Sequence, residues 1–389
     1  MMDSYTSNYM DPLAGEAVIK VIGVGGGGGN AINRMIQSGI GGVTYIAMNT
    51  DVQALYNSNA DERLALGSQL TGGLGAGGSP EIGESAAIES KEDIKKVLSG
   101  ANMVFLTSGM GGGTGTGATP IVASIARDMG ILTVAVVTTP FVFEGKKKVE
   151  LAFMGIEKLK PYVDTLIQVP NEQLLTLCKG GTSMKEALLL ADDVLLQGIS
   201  GISELITEPG EINIDFADVK SALKDSGDAI MGIGEGEGEN RAIDAVKAAI
   251  NNPLLKDAKI EGARNVLINV QAGETLTLQE YQAVVQYVRS IADEDALIKP
   301  GQSINTTLGD KIRVTVIATG FRPHVSVLDA QIAEMRHRGS FVNTSLETDS
   351  DGIKIVRHWQ EFCPPIPDNI DVNDYSIPTI LRLTKKFDA

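Results

Sequence analysis

The sequence has little cysteine. Only Cys178 and Cys363 occur in 389 residues, far apart in the chain. That excludes a disulfide framework and fits a reducing compartment. Long apolar runs are missing too, since no stretch reaches the roughly 18 residues a membrane-spanning helix needs. The opening segment, MMDSYTSNYMDPLAGEA, has no basic start followed by an apolar run, so no secretory signal is expected there. Positive charge is scarce: 33 Lys and Arg stand against 49 Asp and Glu, a formal net charge of -16. Such a chain has no general attraction for nucleic acid or anionic lipid. It can hold a phosphate ligand only through focused local donors. No G-x-x-x-x-G-K-[ST] run occurs, which excludes an ordinary P-loop.

Glycine is abundant, with 44 residues, and it is clustered, which points to backbone-lined loops and not to low complexity. The apolar run 17–24 leads into Gly25 to Gly29, and a helix is expected to follow from Asn30. A strand at 44–51 ends in Asn49-Thr50-Asp51. A glycine-rich loop at 70–83 precedes one charged helix over 84–98. A strand at 101–108 opens into a second glycine loop, GMGGGTGTG (109–117), and a helix. Further strands lie at 131–139 and 164–170. Apolar strands alternating with helical patterns predict an α/β fold, with a parallel sheet covered on both faces. The run 183–207 is too long for an ordinary crossover and suits a connecting helix. A second, smaller α/β region follows to 320.

The chemistry concentrates in the loops. A glycine backbone can approach an anion closely, and the helix behind it presents unpaired N–H groups and a positive dipole end. The first loop alone also satisfies G-x-G-x-x-G, the dinucleotide fingerprint. A nicotinamide-type dehydrogenase is therefore one reading. It expects an acidic residue about 20 positions onward for the ribose, where this chain has Asn49-Thr50-Asp51, and it leaves the second glycine loop without a role. Two such loops on one sheet edge suit a triphosphate. Thr114 and Thr116 add hydroxyl donors. Neither loop contains a lysine, so phosphate charge must be met by backbone dipoles and a divalent cation. Asp215 and Asp218, three apart, share a helix face if a helix begins there. They read either as an N-cap with a favourable first-turn acid or as catalytic acids.

VIGVGGGGGN, NTD, LTGGLGAGGSPEIG, GMGGGTGTG, PFVFEGKKK, NEQLL and GEINIDFADVK occur in the order and spacing of the FtsZ family, the bacterial tubulin homologues, over roughly residues 17–320. The resemblance implies a tubulin/FtsZ-like fold and a GTPase that cycles GTP to GDP, with Mg2+ accompanying the nucleotide. It implies that Gly26, Gly27, Gly28, Gly29 and Asn30 hold phosphate and ribose, and that Gly113, Thr114 and Gly115 hold phosphates. Glu144 and Lys148 would meet the sugar, and Asn171 and Asp192 the guanine edge. The family usually has Arg where this chain has Lys148, and Phe where it has Leu188, so the base would rest on an aliphatic surface. Asn213, Asp215 and Asp218 would enter the γ-phosphate site of the next subunit in a head-to-tail filament. No metal-ligand set is assigned.

The resulting organisation is a flexible tail (1–16), a GTP-binding domain (17–182), a core helix (183–207), a C-terminal domain carrying the activating loop (208–320), a linker (321–373) and a terminal peptide (374–389). The peptide DYSIPTILRLTKKF resembles the family's C-terminal partner-binding motif, with Ser376 and Ile380 departing from the usual Asp and Phe. Pro378 can start a helix that shows Ile377, Ile380 and Leu381 on one face; a frayed end is the alternative. The resemblance implies a cytoplasmic protein of the division ring. Tether and regulator proteins would recruit it to the inner membrane face at midcell, without membrane insertion or nucleic acid. A plasmid-type tubulin relative and a non-hydrolysing scaffold are the competing readings within the superfamily.

Overall fold

Among the described residues, ten strands build one mixed, mostly parallel sheet in the order β3-β2-β1-β4-β5-β6-β7-β10-β8-β9. The computed structural model describes residues 17–175, 182–207, 212, 214–252 and 262–321. In chain order, the first half contains β1 (Ile19–Val24), α1 (Gly25–Gln37), β2 (Val43–Asn49), α2 (Val52–Tyr56), β3 (Glu62–Ala65), α3 (Ser68–Thr71), α4 (Pro80–Glu89), α5 (Lys91–Leu98), β4 (Met103–Gly109), α6 (Thr114–Asp128), β5 (Leu132–Thr139), α7 (Lys146–Leu159), β6 (Thr165–Pro170) and α8 (Asn171–Leu174). Then come α9 (Met184–Thr207), α10 (Phe216–Leu223), β7 (Gly227–Gly236), α11 (Arg241–Ile250), β8 (Asn265–Ala272), α12 (Leu278–Ile291), β9 (Leu297–Ile304) and β10 (Ile312–Thr319). The 1–16 tail, Cys178, Asn213, Cys363, the linker from 322 and the 374–389 peptide lie outside the described residues.

The apolar strands are covered on both faces, as their composition requires. Along β1, Ile19 and Val21 join a core formed with α1, α9 and α10, while Ile22 and Val24 face a second core under α4, α5 and α6. Phe105 and Leu106 of β4 split the same way. β10 runs antiparallel to both β7 and β8, and that reversal starts the second region. A third core there packs α11 and α12 on β8 and β10.

Helix α9 starts on a reciprocal cap: the Ser183 N–H donates to Glu186 Oε2 (2.7 Å) and the Glu186 N–H donates to Ser183 Oγ (3.3 Å). Its 24 residues give a rod about 36 Å long. Two local expectations differ. Helix α1 begins at Gly25, so the glycines form its first turns and do not precede it. Residues 84–98 form two helices that break at Ser90, whose Oγ accepts the Gly67 N–H at 2.9 Å.

Candidate nucleotide site

All three glycine loops meet at the carboxyl edge of the parallel strands. Gly25 has φ +75, which a glycine adopts without strain, and a Cβ there would lie 2.9 Å from the Gly115 nitrogen. The first and second loops therefore touch backbone to backbone. A Cβ on Gly113 would meet Ala76 Cβ at 2.8 Å and the Ser79 nitrogen at 3.0 Å, so the second and third loops touch as well. The Thr50 and Thr114 hydroxyls share a 2.6 Å hydrogen bond that ties the β2 tip to the same point.

The glycine run of α1 divides in two. Gly28 packs against the Thr107 carbonyl with no room for a side chain, and Gly27 lies close to Gly109. Gly26 and Gly29 have nothing within 4 Å of a Cβ position. Packing thus explains one set of glycines, and an open backbone surface explains the other. Neither α1 nor α6 has a side-chain cap or an acidic residue in its first turn. Their leading N–H groups and dipole ends are left for an anion. Thr116 takes a different part from the one expected: it is buried, and its Oγ1 accepts the Gly111 N–H at 2.8 Å, stapling the loop. Ser108 Oγ, beside this loop, is buried without a partner.

Next to the glycine loops lies a cavity of about 600 Å³ lined by Asn30, Asn33, Arg34, Leu188, Leu189 and Asp192, among others. Leu188 is 48% exposed and adds an aliphatic side chain to its lining. Burial pushes the Asp192 carboxyl up to about 6; nearby Arg34 opposes the rise and Asp193 adds to it. Asp193 is held by Arg34, Nε to Oδ1 at 2.8 Å, which orients this turn of α9 against α1. Asn171 opens α8 directly after β6. It is 6% exposed, and its Oδ1 is buried without a partner. An orphaned acceptor and a half-buried carboxylate fit a base edge that presents N–H donors. Glu144 and Lys148 pair with each other, Oε2 to Nζ at 3.1 Å, and Glu144 Oε1 also accepts the Phe141 N–H at 3.0 Å.

Asn33 and Arg34 escaped the sequence reading. They lie three and four positions after Asn30, hence on the same helix face, and that spacing was the available signal.

Asp215 and Asp218 lie elsewhere. Asp215 caps α10, accepting the Asp218 N–H at 2.7 Å, so the capping geometry is present. Asp218 Oδ1 meets Lys299 Nζ at 2.7 Å. The far end of α10 closes on the amino edge of the sheet. There Thr165, the first residue of β6, donates its hydroxyl to the Leu223 carbonyl, and the Asp225 N–H donates to Asp164 Oδ1 at 3.3 Å. Asn171 sits past the other end of that six-residue strand, about 20 Å away. Helix α9 leads from the cavity to that same edge: Thr207 packs where Gly42 enters β2, and Leu205 and Ile214, the residue before Asp215, meet over Gly301. The cradle and the two acids therefore lie toward opposite edges of one subunit.

Residues 18–179 match the tubulin/FtsZ family GTPase domain, and residues 227–322 match the FtsZ family C-terminal domain. The structure is similar to an empty FtsZ dimer from M. jannaschii, with 47% sequence identity and a TM-score of 0.76, over 79% of this chain and 89% of that one. A point mutant of the same organism's FtsZ gives the same identity and TM-score, over 79% of this chain and 92% of that one. CetZ2 from Haloferax volcanii, in a GTPγS-bound protofilament, is 19% identical with a TM-score of 0.63, over 83% of this chain and 99% of that one, and bears on the fold alone. Fold and site together define a guanine-nucleotide-binding GTPase of the tubulin/FtsZ class. Within that class, the chain belongs to the FtsZ family.

Proposed function

We propose that this GTPase assembles head to tail and hydrolyses GTP at a site shared between neighbouring subunits, as the polymer of a division ring. The observation that carries the reading is the separation just described: Asp215 and Asp218 stand at the edge away from their own cradle. A second copy stacked on the first brings one subunit's acids to the other's γ-phosphate. There they orient water. The water oxygen bonds to the γ-phosphorus as the bond to the β–γ bridging oxygen breaks, the electron pair leaves on GDP, and the proton of water passes to phosphate or solvent. Positioning and charge stabilisation suffice for this transfer.

In this reading Gly26, Gly29 and the first turns of α1 and α6 face the phosphates. Asn30, Glu144 and Lys148 border the ribose, and Leu188, Asn171 and Asp192 meet guanine. Among the described residues no cluster of three or more His, Cys, Asp or Glu could hold a metal. A Mg2+ ion would be held chiefly by the phosphates it accompanies. Among the same residues no helix is long and apolar enough to cross a membrane. Recruitment from the cytoplasm to the membrane face at midcell is assigned to tether proteins that bind residues 374–389. A chain ending at 373 should keep its GTPase activity and lose its tether in a pull-down; retained tether binding would refute that assignment.

The test of the shared site mixes two inactive chains. Asp218→Ala should bind GTP normally and release phosphate very slowly. The cradle is best blocked at Gly26, where a side chain meets no protein atom; Gly26→Val should lose nucleotide. Mixed at equal total protein, the first chain supplies an intact pocket and the second intact acids, and phosphate release should return. Full activity in Asp218→Ala alone refutes the reading. Loss of a cap costs about 0.5–2 kcal/mol of stability and gives no rescue in trans.

A further inference from the structure

The cradle is made of backbone. No Lys or Arg occurs in Gly25–Asn30 or Gly109–Gly117. Two carboxylates brought to a triphosphate add negative charge to negative charge, a contact that opposes assembly. The subunit that carries the acids also carries a cation beside them. Lys299 lies on β9, the last strand of the sheet, paired to β8. Three residues on, the Gln302 N–H donates to the Ile212 carbonyl at 3.0 Å, fixing the strand to the segment that enters α10. Lys299 Nζ meets Asp218 Oδ1 at 2.7 Å, and the side chains are 27% and 41% exposed. A pair this open contributes little as a stabilising contact. Its consequence is orientation: Asp215 holds the Asp218 backbone, and Lys299 holds the Asp218 carboxylate.

We propose that Lys299 is a positioning residue for hydrolysis in the neighbouring subunit. It fixes one oxygen of Asp218, leaving the other to orient water. Its ammonium also offsets one of the two acid charges as they reach the γ-phosphate. No bond to Lys299 forms or breaks. The inference rests on the reading that Asp218 acts on the next subunit's nucleotide. It deepens that reading by naming a cation delivered in trans to a site whose own loops lack one.

The experiment uses the full-length protein with Lys299→Met, Lys299→Gln, Lys299→Arg and Asp218→Ala. Nucleotide titration, the sedimentation threshold for assembly and phosphate release per assembled subunit are measured for each. Lys299→Met should bind GTP like the parent, with KM unchanged and kcat lower by about 10- to 100-fold, the cost of a misplaced catalytic group. Its assembly threshold should rise, and Lys299→Arg should restore most of the turnover. Mixing Lys299→Met with Gly26→Val should restore phosphate release, because the second chain brings an intact Asp218–Lys299 pair. If Lys299→Met does not fold, Lys299→Gln takes its place in both measurements. A folded Lys299→Met or Lys299→Gln chain with the parent's kcat, beside an inactive Asp218→Ala, overturns this proposal alone. So does a folded, slow Lys299 variant that the Gly26→Val chain fails to rescue. Full turnover in Asp218→Ala overturns the shared-site reading beneath it.

Discussion

Replacing Asp192 by Asn should move two properties of the protein in opposite directions. Folding raises this carboxyl from 3.8 to about 6, mainly by burial. The folded state therefore holds the proton more tightly than the unfolded chain does. Between 3.8 and about 6 stability falls as pH rises, and above about 6 the whole penalty is present. At full weight a rise of this size corresponds to about 3 kcal/mol. Solvent reaches the half-buried group, so about 1–2 kcal/mol is a fair magnitude. Asp192→Asn removes that penalty, and the nucleotide-free protein should melt about 2–6 °C higher at pH 7. In the proposed site, the same change converts an acceptor of two guanine N–H bonds into a group that can accept one and must also donate. Nucleotide binding should weaken by about 1.5–3 kcal/mol, or about 10- to 150-fold. In the parent, affinity should likewise fall as pH drops below about 6, and Asp192→Asn should flatten that profile. Thermal denaturation without nucleotide and titration with GTP at pH 5 to 8 check both halves. A variant that melts lower and binds GTP as tightly as the parent would refute the reasoning.

The aliphatic platform makes a further prediction: Leu188→Phe should bind GTP as tightly or tighter, by about 0.5–1.5 kcal/mol from ring stacking, and weaker binding in a titration would show that the base lies elsewhere. The glycines of α1 should separate by role. Gly28→Ala presses a methyl on the Thr107 carbonyl and should cost about 1–3 kcal/mol of stability, whereas Gly26→Ala should melt like the parent and lose nucleotide affinity; equal melting of the two variants would contradict the packing described.

Much of this was legible in the sequence because it is local. Apolar strands followed by glycine loops declare a parallel sheet with anion-facing turns, and each such unit lies within about 20 residues. The start of α1 was not legible. Glycine is a poor helix former, and what draws Gly25 to Gly29 into helical turns is close contact with β4 and the second loop, made by residues about 80 positions away. At the break between α4 and α5, Ser90 holds the Gly67 N–H, a partner no helical period reveals. The same holds at the site. Asp192 was readable only through family resemblance, and its neighbour Asp193 looks like a solvated charge until Arg34, 159 positions away, is placed against it. Lys299 is one lysine among many along the sequence. Only the strand that carries it past α10 brings it to Asp218.

On the proposed shared site, cradle and acids on opposite edges impose a counting rule on any open chain of subunits. A chain of N copies contains N − 1 completed sites. The subunit at one end keeps its GTP with no acids to act on it, and the subunit at the other end presents acids to empty solvent. A dimer therefore turns over at half the per-subunit rate of a very long chain, and a closed ring loses nothing to its ends. Phosphate release per subunit becomes a measure of polymer length. The nucleotide at the cradle-exposed tip stays GTP while no further copy covers it, so that end is chemically marked by its own incompleteness.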